Sequence, residues 1–365
     1  MRQMTGKQSI SFAKAVYIEG SAAIVGEKEK DGPLGEYFSH TLSDPMCGQE
    51  SWEEGESELQ LATAKLAMQK ANVRPEQIRM IFAGDLLAQS IASSFGLVDL
   101  NCPLYGLFGA CSTMGEALSL GAMAVAGGYG DWVLAVTSSH FGTAEKEFRF
   151  PLAYGNQRPP SASWTVTGSG ACVLGKTKSR VKITGATTGK IIDYGLKDNQ
   201  NMGACMAPAA CDTIAQNLVD FNREPADYDR IVTGDLGVVG REILLELLKK
   251  KGYDISEQHS DCGMLIFDPA KQDTGAGGVS AAEAGKRRVE EDSVCTDWCA
   301  DVEGQLSGGQ QRAWYCTGGC NRAGGGCVKW ERLWNISMPS GSAASFVPCA
   351  RFCSTARKCC REELW

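Results

Sequence analysis

The chain has 365 residues, 43% of them hydrophobic, and a formal net charge of −7. That is apolar material for a large α/β domain or two fused half-domains, with no basic footprint for nucleic acid. No 18-residue apolar run and no signal-peptide core are present, so the sequence predicts an intracellular protein without a transmembrane segment.

The sixteen cysteines are unevenly spread. Seven lie in residues 1–278 and nine crowd into 279–365, which also hold five of the eight tryptophans. This break in composition divides the chain near Gly278 into two unlike pieces.

The first piece alternates strands with helices. Phe12 to Ile24 reads as extended apolar chain, followed by a turn at Lys30-Asp-Gly-Pro33. Residues 57–72 place Leu59, Ala62, Leu66 and Ala67 on one helical face, and Ile78 to Ala83 is a short buried strand ending in Gly84-Asp85-Leu86. Leu104 to Phe108 predicts a strand, Gly109-Ala-Cys111 a tight turn, and Met114 to Val125 a helix. Trp132 to Val136 is a further strand, ending in Thr137-Ser-Ser-His140. This order implies a mainly parallel sheet covered on both faces. Glu76 to Leu86 is echoed by Asp227 to Leu236, each preceded by a helix (Thr213 to Phe221 in the second case) and each ending in Gly-Asp-Leu. The echo points to duplication, with Asp85 and Asp235 as structural turn residues at equivalent strand ends.

Cys111 is the residue around which these elements make sense. A cysteine on the turn between a strand and a helix lies near unpaired backbone N–H groups, where the macrodipole favours a thiolate or a bound carboxylate. A buried structural cysteine fits the same position.

Several stretches carry a family resemblance: Lys28-Glu-Lys-Asp-Gly-Pro-Leu-Gly35, Ala83-Gly-Asp-Leu-Leu87, Phe108-Gly-Ala-Cys-Ser-Thr113, Thr137-Ser-Ser-His140, Phe148-Arg-Phe150, Thr165-Val-Thr-Gly-Ser-Gly-Ala171, Met206-Ala-Pro-Ala-Ala210 and Thr233-Gly-Asp-Leu236. In that order, across about residues 5–278, they resemble the thiolase superfamily and, within it, a dipicolinate-handling sporulation family. The resemblance implies a thiolase-like α/β fold of two pseudo-duplicated halves, residues 1–180 and a partial 181–278. It implies binding of pyridine-2,6-dicarboxylate without catalysis or cofactor. It also implies calcium accompanying that ligand, membrane-associated partners of the same uptake system, a homodimer, and a peripheral place at the inner membrane of the developing spore.

A flat dianionic ring requires an apolar slot, hydrogen-bond donors and a cation. Cys111, Ser138, Ser139, His140 and Arg149 are the residues expected to supply them. His140 also reads as a satisfied core histidine, Arg149 as a surface ion-pair partner, and Thr165 to Gly170 as a tight turn between strands. The alternative is an acyl-transferring or condensing enzyme using Cys111 as nucleophile. Such an enzyme needs a base, which the superfamily supplies as a second-half histidine. Only His40, His140 and His259 are present, and His259, just before an expected strand Met264 to Phe267, does not fall where that base would stand. A binding protein is therefore preferred.

The tail resists both a zinc reading and a domain reading. Cys295-x3-Cys299 and Cys316-x3-Cys320 do not pair into a regular zinc frame, so no metal site is assigned. Codons permitted for Glu291 to Leu306, read one nucleotide later, encode Lys-Thr-Leu-Phe-Val-Pro-Thr-Gly-Ala-Leu-Met-Ser-Lys-Val-Ser, an apolar strand followed by Thr-Gly-Ala-Leu. Ser307 to Lys329 continue sensibly in that frame to a stop codon. Trp334 to Trp365 then hide the start of a small membrane protein that accompanies this family. Residues 279–365 are therefore expected to be out-of-frame text, irregular in structure, with the second half left incomplete.

Overall fold

The computed structural model describes residues 3–87, 90–148, 164–198, 201–268, 271–272, 313–315, 326–332 and 342–345. The strands are β1 (Met4–Thr5), β2 (Ser9–Val25), β3 (His40–Thr41), β4 (Ile78–Asp85), β5 (Leu104–Gly106), β6 (Trp132–Ser139), β7 (Gly168–Gly175), β8 (Val181–Thr188), β9 (Arg230–Thr233), β10 (His259–Asp261), β11 (Ala313–Tyr315), β12 (Gly326–Arg332) and β13 (Ser342–Ser345). The helices are α1 (Glu27–Lys30), α2 (Trp52–Ala71), α3 (Ile91–Gly96), α4 (Thr113–Gly127), α5 (Phe141–Phe148), α6 (Met202–Phe221), α7 (Gly237–Lys250) and α8 (Cys262–Ile266).

The strands run in the order β10-β9-β11-β12-β8-β2-β7-β6-β4-β5. The sheet is mixed rather than mainly parallel. Parallel pairing joins β4 to β5 and β6, and β9 to β10 and β11, whereas β6-β7-β2-β8-β12 is antiparallel throughout. Two other expectations are corrected. Gly168 to Gly170 belong to β7 and pair with Thr137 to Ser139 of β6, so they are not a tight turn. Met264 lies in α8, and the strand precedes it as β10. The tail is also not wholly irregular, because β11, β12 and β13 pair with β9, β8 and each other. Both zinc-like cysteine pairs of the tail lie outside the described residues, as does the segment where the second half's counterpart of α4 would stand.

Strand alternation explains the core. Val133 and Ala135 of β6, Cys172 and Leu174 of β7 and Phe82 of β4 face α4, meeting Ala117, Leu118 and Val125. The alternate residues Leu134, Val136, Ala171, Val173, Ile81 and Ala83 face α2, meeting Ala64, Ala67 and Met68. The two-residue period of a strand thus feeds two helical layers from one sheet. α2 starts where the sequence supplies a capping box, with Ser51 accepting from the Glu54 N–H and Glu54 returning to the Ser51 N–H.

The second-half core is built by α6 and α7 on β9, with Ile214, Leu218, Leu244, Leu248 and Ile231 buried together. The two helices meet at Gly203 and Gly240. A Cβ at Gly203 would stand 2.8 Å from the Gly240 Cα and 2.4 Å from the Leu236 carbonyl oxygen, so only glycine permits this approach. α6 is tied to β2 through Asp220, which accepts the N–H groups of Lys7 and Gln8 and the Ser9 hydroxyl.

Candidate functional site

The turn between β5 and α4 is fixed by its own hydroxyls. Ser112 Oγ donates to the Gly109 carbonyl at 2.7 Å, and Thr113 Oγ1 donates to the Ala110 carbonyl at 2.7 Å while accepting from the Gly109 N–H. Ala110 is held at φ +50°, a left-handed conformation uncommon for a residue with a Cβ. The result presents Cys111, half-buried, to the second half, where it packs against the α6–α7 core.

The second half answers with Asp235, on the turn between β9 and α7. Asp235 is half-buried as a residue, but its carboxyl is the enclosed part. That enclosure pushes the acid up to about 6, against the opposing pull of Cys111. Its backbone is also left-handed, at φ +51°. The turn that carries it is pinned by Asp261 of β10. Asp261 accepts the Thr233 hydroxyl at 2.8 Å, the Leu236 N–H at 2.9 Å and the Gly237 N–H at 3.1 Å. Burial raises Asp261 to about 7, and the neighbouring Asp235 adds to the effect. Because Thr233 gives its proton to Asp261, His259 Nε2 donates to Thr233 Oγ1 at 2.9 Å. His259 is neutral, pushed down to about 3 by burial and by the charge of Arg241. Its Nδ1 has no hydrogen-bond partner among the described residues.

Ser138, Ser139 and His140 lie together at the end of β6, and their polar atoms are committed to the scaffold. Ser138 donates to Glu56 Oε1 at 2.8 Å and accepts from Gln60 Nε2 at 2.9 Å. Ser139 donates to the Val166 carbonyl. His140 Nε2 donates to the Pro45 carbonyl at 2.9 Å, and Nδ1 accepts the Gly142 N–H at 3.0 Å. That pair of bonds fixes one neutral tautomer, and burial lowers its pKa, so His140 is a satisfied core histidine and not a cation. The Thr167 N–H is likewise taken, by Glu29 Oε1 at 2.9 Å. Arg149 lies outside the described residues.

Two acids escape sequence reasoning. Asp235 reads there as a turn residue alone, although the Gly-Asp-Leu echo marks it. Asp85 does fit that assignment, since it accepts the N–H and hydroxyl of Ser93. Glu56 is the second. Its signal is polar Glu56, Gln60 and Thr63 at positions i, i+4 and i+7 of α2, all buried on its sheet-facing side. Glu56 accepts the hydroxyls of Ser138 and Thr143, and burial raises it to about 7.

What the second half brings to the thiol is therefore a carboxyl, a hydrogen-bond acceptor or, when protonated, a donor to an anion. Among the described residues no group of three His, Cys, Asp or Glu could hold a metal ion, and no helix is long and apolar enough to cross a membrane.

Comparison with known proteins agrees with this architecture. Two crystal structures of Xanthomonas campestris OleA, a histidine-to-asparagine variant and an acetamide-bound form, each superpose with a TM-score of 0.50. They are 15% and 13% identical to this chain, cover 70% and 69% of it, and are themselves covered over 86% and 85%. At such identity the likeness concerns the fold, which is thiolase-like. Stage V sporulation protein AD of Bacillus subtilis (strain 168) is 43% identical over 282 residues, 77% of this chain and 83% of that protein. The family model described as Stage V sporulation protein AD (SpoVAD) matches residues 6–286. The chain, with its cysteine turn and its echoed Gly-Asp-Leu strand ends, belongs to the stage V sporulation protein AD family.

Proposed function

We propose that this sporulation protein binds pyridine-2,6-dicarboxylate at the Cys111 turn, for uptake into the developing spore, and does not catalyse acyl transfer. The observation that carries this reading is that Cys111 packs on the second-half core, where the influence it meets is that of an enclosed carboxyl, Asp235. A thiolate nucleophile is favoured by a neighbouring cation or imidazole base, and an enclosed carboxyl offers neither. A protonated Asp235 can instead donate to a ligand carboxylate, next to the N–H groups that open α4. Arg149 is the cation in this reading. Ser138, Ser139 and His140 act as the rigid wall behind the site, their own bonds being already made.

The reading puts the protein at the spore inner membrane without a span of its own, alongside membrane-associated proteins of the same uptake system. It leaves a homodimer and calcium beside the dicarboxylate as the two points for measurement. We also propose that residues 279–365 are read one nucleotide out of frame, which the end of the family match at residue 286 supports.

Isothermal titration of pyridine-2,6-dicarboxylate, with and without calcium, tests binding on the full chain and on a frame-restored chain. Acyl-CoA hydrolysis is followed in parallel. Binding heat without turnover is expected, and Arg149→Ala should weaken binding by about 1.5–3 kcal/mol through loss of a charge-assisted bond. Cys111-dependent acyl-enzyme formation with turnover would establish the condensing-enzyme alternative instead.

A further inference from the structure

We infer that Thr143 is a two-position hydroxyl switch worked by a proton on Glu56. With Glu56 ionised, Thr143 donates to its Oε2; with Glu56 protonated, the acid donates to Thr143 and the hydroxyl turns to the His140 carbonyl. The switch needs no ligand and stands whether or not the site takes a dicarboxylate.

The fold does not require an acid at position 56. α2 and α6 are counterparts in the two halves, each of 20 residues, each closed by a left-handed asparagine (Asn72 and Asn222) and followed by a turn that opens on proline (Pro75 and Pro225). Thr63 and Thr213, which correspond in this alignment, each donate to the carbonyl of the preceding helical turn, so the register holds along the helix. Glu56 then answers to Met206 and Gln60 to Ala210, and both second-half residues are buried apolar core. At the same place the first half buries a carboxyl, at 3% exposure.

Hydrogen counting fixes where the proton goes. A hydroxyl has one hydrogen to give, yet Thr143 Oγ1 stands 2.7 Å from Glu56 Oε2 and 3.0 Å from the His140 carbonyl oxygen. Among the described residues Ser138 has a single acceptor, Glu56 Oε1 at 2.8 Å, and itself accepts from Gln60 Nε2 at 2.9 Å. A proton on Oε1 would face Ser138 with a second donor and strand its hydrogen. A proton on Oε2 meets Thr143 Oγ1, whose hydrogen has the His140 carbonyl in reach. Ser138 therefore keeps its bond in both states, and Thr143 is the part that moves. The proton comes from solvent, and only the O–H bond of the acid forms or breaks.

No cation pairs with Glu56 among the described residues. Glu53, one turn earlier on α2, binds Lys146 of α5. Glu145 of α5 is turned to Thr165, and His140 at the end of β6 is held in a neutral tautomer by its two bonds. Asp85 of β4 is joined to Glu56 through Ser93 of α3, Gln60 and Ser138, and as a like charge it opposes ionisation. β2 and β7 face α2 with Ala22, Ala171 and Val173. Burial raises Glu56 to about 7, and the charges of Asp85 and Glu53 add to the rise. The switch accordingly works in the neutral range.

The test uses the full chain without ligand. Labelling histidine with 13C at the carbonyl and phenylalanine with 15N makes His140–Phe141 the one doubly labelled peptide of the sequence. Its carbonyl shift is followed by NMR while the Glu56 carboxyl, 13C-labelled at Cδ and assigned by its loss in Glu56→Gln, is titrated between pH 5 and 9. The two signals should titrate together, near pH 7. Glu56→Gln, a neutral donor to Thr143, should hold the His140 carbonyl at its low-pH shift throughout, and Thr143→Ser should titrate as the wild type does. Ser138→Ala should raise the Glu56 midpoint by about one unit, a tenfold change in proton affinity, because the ionised form loses a donor. Thr143→Val should raise it by no more than about half of that, because Thr143 serves both forms. Where Ser138→Ala is too unstable to titrate, the wild-type pair of signals decides alone. A His140 carbonyl that stays still while Glu56 titrates would overturn the switch. So would a Glu56 midpoint in the ordinary carboxylate range, or a Thr143→Val shift as large as that of Ser138→Ala. Dicarboxylate binding enters none of these readouts, so failure here and failure of the proposed function are separate results.

Discussion

Ser138 donates its hydroxyl to Glu56 across 2.8 Å of buried space, joining the end of β6 to the first half of α2. The bond is one link in a chain. Gln60 Nε2 donates to both Ser138 and Ser93, and Ser93 passes its proton to Asp85. Serine hydroxyls here are relays between two buried acids.

Removing one relay should therefore be felt as lost stability. Ser138→Ala leaves Glu56 Oε1 without its donor and deprives Gln60 Nε2 of an acceptor, and is expected to destabilise the fold by about 1–3 kcal/mol. Urea unfolding followed by circular dichroism gives the value. A loss of ligand affinity at unchanged stability would move Ser138 from the wall into the site.

The buried acids also set a pH dependence. Glu29, Glu56 and Asp261 are raised to about 7 and Asp235 to about 6, in each case by burial first. A folded carboxyl that keeps its proton where the unfolded one has lost it contributes stability that is fully present below the ordinary carboxylate range. That contribution is lost as pH rises through 6 to 7. His259 and His140 act in the opposite sense, since both are neutral in the fold; their contribution is present above about 6.5 and is lost as pH falls. Above pH 6.5 the carboxyls dominate. Stability should fall between pH 6.5 and 8 by about 1 kcal/mol for each acid near 7, and Glu56→Gln should flatten the slope. Urea midpoints across that window check it, and a midpoint that rises with pH would contradict it.

The helix crossing in the second half allows a sharper test. Gly203→Ala places a methyl group 2.8 Å from the Gly240 Cα, against backbone that cannot rotate away. Forcing α6 and α7 apart should cost about 1–3 kcal/mol, the range of overpacked cores. An alanine at Gly106, where a Cβ would meet nothing within 4 Å, serves as the exposed control. Equal effects at the two positions would show that backbone entropy, not contact, is what glycine provides.

The tail is settled at the level of DNA. If residues 279–365 are out of frame, sequencing the gene should show that restoring the neighbouring frame yields an apolar strand, a Thr-Gly-Ala-Leu turn and a stop codon. In the protein as given, limited proteolysis with mass spectrometry should place the first cuts after Gly278. A protease-resistant tail holding stoichiometric zinc would mean that a real domain has been mistaken for shifted text.

Much of this fold is legible in the sequence because β4 and β6 are apolar runs buried on both faces and α4 is a long run of small and apolar residues, while Ser51 with Glu54 marks the start of α2. β7 is not legible. Gly168, Ser169 and Gly170 read as a turn, yet they form a strand whose small residues lie between β2 and β6 with every position buried. Alternation of strands and helices also cannot reveal that β7 and β8 flank β2 antiparallel, because strand direction depends on connections that composition does not encode. α8 fails for another reason, since a five-residue apolar run fits a short buried strand and a helical turn equally well. At the site, residue type locates Cys111 but not its partner. Asp235 looks like any turn aspartate until the two halves are brought together.

The two members of the echo play different parts. Asp85 binds Ser93 within its own half, whereas Asp235 stands in the half whose core Cys111 packs against. The surroundings of a first-half cysteine are thereby delegated to a part of the molecule that does not build it. Damage that loosens the second half would reach Cys111 before the first half lost any of its own packing.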